Sequence, residues 1–329
     1  MSESVLFDHT SYPLLLPHFG YHDDAVYFGP TRVAPVAEGE GWFLDRCDGS
    51  RTFADALTGC NFSADFIAGI AHWLIWWPEP VASTGVAPRQ SVDRLILCAR
   101  TEVPWTAMGG TIIGDAADHS TLVQCAFQMF TGGHRDAFRT TRELALACDD
   151  EAATAARLAG VEYDSFTIPQ HEARRVRGIE DAAAFEILQS RIAELIVERN
   201  PAKVYVGAAL DDDPDTALLQ RAVLSLLGDG VLDAALYLYE DVPALIGERQ
   251  IDDFVLQFEN AFLESRSLYR DITPLRARKA AILEVFQCRL DAATRHTAGE
   301  HAAVNSAVSG FAQSEAAERL FEIAFAALE

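Results

Sequence analysis

Four carboxylates crowd into one short run, Asp211-Asp212-Asp213-Pro214-Asp215. Such a set suits a hard cation such as Mg2+ or Ca2+, or a polar ligand. It equally suits a solvated loop whose last acid, Asp215, faces the positive end of a following helix. Arg100 and Glu102, two residues apart, can act as an acid/base pair or substrate clamp, or can form a plain salt bridge. Gly109-Gly110 permits close backbone approach at a helix start and can present amides to an anion. No GxGxxG or Walker pattern accompanies it. Tyr239-Glu240-Asp241 ends an apolar run, either to read a ligand or simply as a polar turn. His134, in Gly132-Gly133-His134-Arg135, and His171, followed by Glu172, each offer an imidazole, although a lone loop histidine is more often just exposed. A Gly-x-Ser-x-Gly nucleophile turn and a Cys-x-x-Cys pair are both absent from the sequence.

The elements that must position these residues follow from hydrophobic periodicity. Apolar runs at 95–99, 122–130, 165–168, 203–206 and 234–239 have the length of buried strands. Between them lie helical patterns at 151–158, 182–199 and 216–227; Phe185, Leu188, Ile192 and Leu195 share one face of the second. The alternation predicts an α/β fold, with a Rossmann-like, mostly parallel sheet and helices on both faces. Two more helices are expected at 274–290 and 314–328.

Residues 1–85 read as a small N-terminal α+β domain of winged-helix type, separate from a domain at 86–329. Ala25-Val26-Tyr27-Phe28 is strand-like, and Thr52 caps a helix beginning at Phe53, with Asp55 at the capping-box position. A second helix is expected over 63–77, where Phe66, Ile70, Trp73, Leu74 and Trp77 recur at helical spacing before Pro78. Residues 82–90, rich in Ser, Thr, Gly and Pro, read as a linker.

Half of the 329 residues are hydrophobic, enough for a large core, and the net charge is −23. That charge argues against nucleic acid and anionic membrane surfaces as partners. Six scattered cysteines suit reduced thiols in a cytoplasm. The N-terminus has no basic segment leading into an apolar run, and the longest apolar stretch, 66–77, is too short to cross a bilayer, so neither a signal peptide nor a membrane span is expected.

Several motifs, in order, resemble the PIG-L/LmbE de-N-acetylase family over roughly residues 92–292. The run Ala99-Arg100-Thr101-Glu102-Val103-Pro104 stands where the family has AHPDDE, and Met108-Gly109-Gly110-Thr111 stands at its GGT-like helix start. The helix from Glu151 to Val161 is similar to the family's E-A-x-x-A-x-x-L-G-V helix. Asp213-Pro214-Asp215-Thr216 occupies the HPDH position, Tyr239-Glu240-Asp241-Val242-Pro243 is similar to YEDxP, and Asp271-Ile272-Thr273, Lys279, Phe286 and Cys288 follow the tail. The resemblance implies a Rossmann-like sheet and amide hydrolysis by a zinc held on two His and one Asp. It places those ligands at Arg100, Val103 and Thr216, the general base at Glu102, and the oxyanion-stabilising residue at Asp213. A guanidinium, an isopropyl group and a hydroxyl replace the three ligands, so no metal or other cofactor is expected; zinc returns only if hydrolysis persists.

The N-terminal run Leu44-Asp45-Arg46-Cys47-Asp48-Gly49-Ser50-Arg51-Thr52 resembles the turn of PqqD-like peptide-recognition domains, which implies an extended peptide bound at a sheet edge. Two functions follow as expectations. One is a non-catalytic pseudoenzyme that binds a small molecule or peptide, using Arg100, Gly109, Gly110, His134, Asp215, Tyr239 and Glu240. The other is an amide hydrolase acting on an N-acyl sugar or related substrate, with Glu102 and Asp213 as catalytic residues.

Overall fold

A computed structural model describes residues 10–22, 25–28, 31–36, 38–60, 62, 66, 69–70, 73–82, 85–128, 138, 140–209, 213–240, 263–290, 292–309 and 314–325. The N-terminal unit contains β1 (Tyr12–Leu15), β2 (Phe19–His22), β3 (Ala25–Phe28), β4 (Thr31–Pro35), α1 (Glu38–Leu44), α2 (Phe53–Leu57) and β5 (Leu74–Trp77). β2, β3 and β4 form one antiparallel sheet, while β1 and β5 pair separately. Thr52 caps α2 as its sequence predicts, its side chain accepting from the Asp55 amide.

The helix expected over 63–77 is corrected at its end: Leu74–Trp77 is a strand, with Leu14 opposite Ile75. A continuous apolar run satisfies both periods. Pairing with β1 decides for the pleated form, which Trp and Ile favour.

The rest of the chain builds one seven-stranded sheet. Its strands are β6 (Arg94–Cys98), β7 (Thr121–Gln128), β8 (Glu162–Pro169), β9 (Lys203–Ala208), β10 (Ala235–Glu240), β11 (Leu263–Asp271) and β12 (Ala317–Phe325). The order is β11-β12-β10-β9-β6-β7-β8, parallel from β10 to β8, with β12 antiparallel to both of its neighbours. The helices are α3 (Val103–Asp115), α4 (Thr141–Ala159), α5 (His171–Arg177), α6 (Asp181–Arg199), α7 (Pro214–Gly228), α8 (Arg276–Leu283) and α9 (Ala292–Ser309). The Rossmann-like, mostly parallel α/β architecture is as the alternation predicts.

Side-chain alternation divides the core between the two faces of the sheet. Leu95, Leu97, Leu122, Val204, Val206, Leu236 and Leu238 pack with α6 and α7. Ile96, Cys98, Val123, Cys125, Tyr205 and Tyr239 pack with α3, α4 and α8. Leu14, Leu16, Ile75, Trp77 and Val81 join this second cluster, so the N-terminal unit shares a core with the sheet and has its own around Phe43 and Phe53. The Arg278 guanidinium of α8 lies over the Trp77 ring.

The C-terminal expectation also changes. The segment read as a helix at 314–328 contains β12, whose Glu and Ala residues favour helix locally. In the sheet Phe321 and Ile323 turn to one face and Leu320 to the other, and hydrogen bonding on both edges overrides that preference. The helix expected over 274–290 stops at Leu283 and continues as turns. β11 carries few apolar residues, as an edge strand does, and escaped the periodicity reading.

α3 is broken at Met108, where φ is −131° and ψ is 24°. The break brings Gly110 against Ile272; a Cβ on Gly110 would lie 2.8 Å from the Ile272 Cβ, whereas one on Gly109 meets only the Lys279 chain at 3.4 Å. Gly110→Ala should therefore lower stability by about 1–3 kcal/mol, and Gly109→Ala by markedly less, in paired chemical denaturation curves.

Candidate functional site

Strand order reverses between β6 and β9: the chain moves outward through β7 and β8 on one side and through β10 on the other. Open α/β sheets bind their ligands at this switch point, beyond the strand C-termini. Arg100 and Glu102 follow β6, and Asp213 follows β9, so the fold gathers three of the predicted residues there. Glu102 precedes α3 and Asp213 caps α7, each facing the positive end of a helix.

Arg100 Nε lies 3.8 Å from Glu102 Oε1 and 3.8 Å from Asp213 Oδ2. Asp213 also accepts from the Thr216 hydroxyl at 2.7 Å. On the other side of Glu102, Arg289 Nε stands 3.8 Å from Oε2. Two cations and two carboxylates thus neutralise one another, with Glu102 buried and Arg100 30 % exposed at its side chain. Arg289 comes from the turns after α8 and had no spacing to mark it in the sequence.

The three positions at which the resemblance places zinc ligands do not fit that ion. Arg100 occupies the space between the carboxylates with a permanent positive charge. Val103 is buried in the core, and Thr216 spends its hydroxyl on Asp213.

The remaining predicted residues divide. The break in α3 releases amides that a straight helix would have consumed. Gly110 N–H and Thr111 N–H donate to Glu318 of β12 at 2.9 and 2.7 Å, and Lys279 Nζ donates to the same carboxylate at 2.7 Å. Gly110 N–H and Thr111 N–H thus face an anion, and that anion is the protein's own Glu318. Tyr239 and Glu240 are likewise turned inward. The Tyr239 hydroxyl donates to the Leu97 carbonyl at 2.9 Å, and Glu240 is ion-paired to Arg319, accepts from Asn305 and lies 3.2 Å from His301 Nε2.

Asp215 receives the His171 amide on both oxygens at 3.0 Å and the Arg174 guanidinium at 2.8 Å, which ties α7 to α5. Burial pushes its carboxyl above the usual range despite Arg174. The carboxylate is therefore consumed in packing, in place of the ligand contact expected of it. The His171 ring lies beside Asp181. His134, Asp211 and Asp212 lie outside the described residues.

Two cavities lie apart from the switch point. One of about 330 Å³ is lined by Ile272, Arg276, Lys279, Leu283 and Arg295; the other, of about 340 Å³, by Phe166, Ile168, Arg174, Ile187 and Arg191.

A group that sequence reasoning missed lies where the two units meet. His18, Glu151 and Cys288 offer a ring nitrogen, a carboxylate oxygen and a sulfur, all within 4.8 Å of one another. They are far apart in sequence, so no spacing signals them.

Burial and the nearby Lys279 ammonium depress His301 to about 4, from an ordinary 6.5. Between these values the unfolded chain binds more protons than the folded one, so stability is complete above about pH 6.5 and falls as pH drops toward 4. The loss should be on the order of 2–3 kcal/mol, and His301→Gln should flatten that part of a denaturation-midpoint-versus-pH curve.

No protein-family model matches the sequence, and a search of curated proteins finds no match. Solved structures do match. Teicoplanin deacetylase in its zinc-inhibited form aligns at TM-score 0.54 and 14% identity, over 72% of this chain and 99% of that one. N,N'-diacetylchitobiose deacetylase from Pyrococcus horikoshii aligns at 0.53 and 15%, over 71% and 84%. The 4-carboxy-2-hydroxymuconate hydratase GalB from Pseudomonas putida aligns at 0.51 and 18%, over 72% and 97%. The parallel sheet, the switch-point cluster and these neighbours together establish that this chain has the fold of the PIG-L/LmbE-type deacetylases.

Proposed function

We propose that this chain is a ligand-binding accessory protein built on the PIG-L-like fold, without deacetylase chemistry. The observation that carries the reading is Arg100, whose guanidinium stands between Glu102 and Asp213. A fixed cation there replaces the Lewis acid that the resemblance implies, and it repels any incoming dication. A hydratase shares the fold with the deacetylases, so fold alone does not select the reaction.

The ligand is a small molecule or a peptide. The N-terminal unit supports the peptide class: β2 and β4 are the outer strands of its three-stranded sheet, and an extended peptide adds to such an edge through main-chain hydrogen bonds. All six cysteines are free, which suits a reducing compartment such as the cytoplasm. Among the described residues no helix is long and apolar enough to cross a membrane.

One observation favours the second reading, an amide hydrolase. Glu102 is a buried carboxylate beside a partly exposed guanidinium, the arrangement of a base next to a substrate clamp. The two readings separate by assay. Under the proposal, the protein releases no acetate from N-acetylglucosamine, N,N'-diacetylchitobiose or simple N-acyl amides, with or without added zinc. The triple variant Arg100→His, Val103→Asp, Thr216→His should gain one further tightly bound zinc over the parent. Acetate release by the parent that is lost in Glu102→Gln would establish the hydrolase instead.

A further inference from the structure

His18 sits in the turn between β1 and β2 with φ at 71°, a left-handed backbone that non-glycine residues adopt at a cost. That turn carries its imidazole from the N-terminal unit into the face of the sheet unit, edge-on to Phe28 and Phe138, with a side chain only 9% exposed. The ring hydrogen-bonds the Ala147 carbonyl, and Nε2 has no hydrogen-bond partner among the described residues. A carbonyl holding one ring nitrogen as N–H leaves the other with a lone pair aimed inward, which is how metal-ligating imidazoles are oriented.

That lone pair faces Glu151 of α4, at 3.8 Å from Oε1. Glu151 is fully buried; Oε1 accepts the Cys288 amide at 2.8 Å, and the Cys288 thiol and the Gln287 amide also bond the carboxyl. Cys288, also fully buried, brings its thiol to the same point. The set is therefore one nitrogen, one oxygen and one sulfur, contributed by three distant segments and two structural units.

Charge and geometry agree on what fills such a set. A neutral imidazole, a carboxylate and a thiolate carry two negative charges, which a dication cancels where water cannot. Mixed N, O and S donors select zinc over magnesium or calcium. Tetrahedral zinc, with bonds of about 2.0–2.3 Å, needs its ligands roughly 3.3–3.8 Å apart. The His18–Glu151 separation of 3.8 Å lies at the upper end of that range, and all three atoms lie within 4.8 Å of one another, so the set closes by about 1 Å or less on binding.

We propose that His18, Glu151 and Cys288 bind one Zn2+ that clasps the N-terminal unit to the Rossmann-like unit. This site uses other residues than the Arg100 position; Glu151 and Cys288 fall on motifs of the deacetylase resemblance, but the resemblance gives neither of them a metal-binding role.

The test uses the full chain, purified without chelator or histidine tag from zinc-supplemented medium, with metal content read by mass spectrometry. About one zinc per chain is expected. His18→Ala and Cys288→Ser should each lose it, while His296→Ala, an exposed histidine, retains it. Because a ligand variant can fail to fold, the parent is also loaded with Co2+ after zinc removal. A thiolate-to-cobalt charge-transfer band and tetrahedral visible bands are expected. A metal-free parent, zinc retained in both ligand variants, or a cobalt spectrum without the thiolate band would each overturn the proposal. None of these results depends on acetate release, so the clasp and the accessory-protein reading stand or fall separately.

Discussion

A carboxylate taken out of water must find a cation or a set of donors, and that requirement organises the whole sheet unit. Glu318 takes two amides and Lys279; Glu102 sits between Arg100 and Arg289; Asp215 takes Arg174; Glu240 takes Arg319; Glu162 takes Arg199. Apart from Arg100 and Glu102, which share the loop after β6, the partners come from different elements, so neutralising the charge also fixes how those elements lie against one another. Glu151 departs from the pattern. It is fully buried, its described neighbours include a histidine and an amide but no lysine or arginine partner, and burial pushes its carboxyl up to about 8. Elsewhere in the sheet unit lysine and arginine solve this electrostatic problem; at Glu151 burial favours the protonated carboxyl, whose proton the proposed dication would displace.

Arg100, Asp213 and Thr216 form a connected chain of contacts at the switch point, so a guanidinium and a hydroxyl complete the coordination of the acids that remain. The break in α3 follows the same economy. Its two liberated amides serve Glu318, which locks β12 beneath α3 and α8.

The parallel strands were legible because their apolar runs are short, continuous and separated by amphipathic helices, and Arg100, Glu102 and Asp213 were legible because they end or follow those strands. What escaped shares one cause: the deciding partner lies far away in the chain. Leu74–Trp77 and Ala317–Phe325 carry apolar residues that fit a helix as well as a strand, and only Tyr12–Leu15 and the β10 and β11 edges decide between them. Glu240 and Asp215 have the composition of ligand-facing acids, and only Arg319 and Arg174, both remote, show them turned inward. Arg289, His18 and Cys288 stand in turns where no periodicity applies.

The antiparallel insertion of β12 between β10 and β11 has a consequence for how the protein is made. Tyr237 pairs with Glu322, and Arg266 with the same residue from the other side, so the edge of the sheet closes only after residue 322 has left the ribosome. Until then β10 presents an unpaired edge and β11 has no neighbour, while the five parallel strands are already available to assemble. Such long-range pairing is slow, and an exposed strand edge is an invitation to aggregation. The nascent chain therefore passes through a stage in which the β10 edge is open, and a chain without the last strand keeps that open edge even though its parallel strands are intact in sequence.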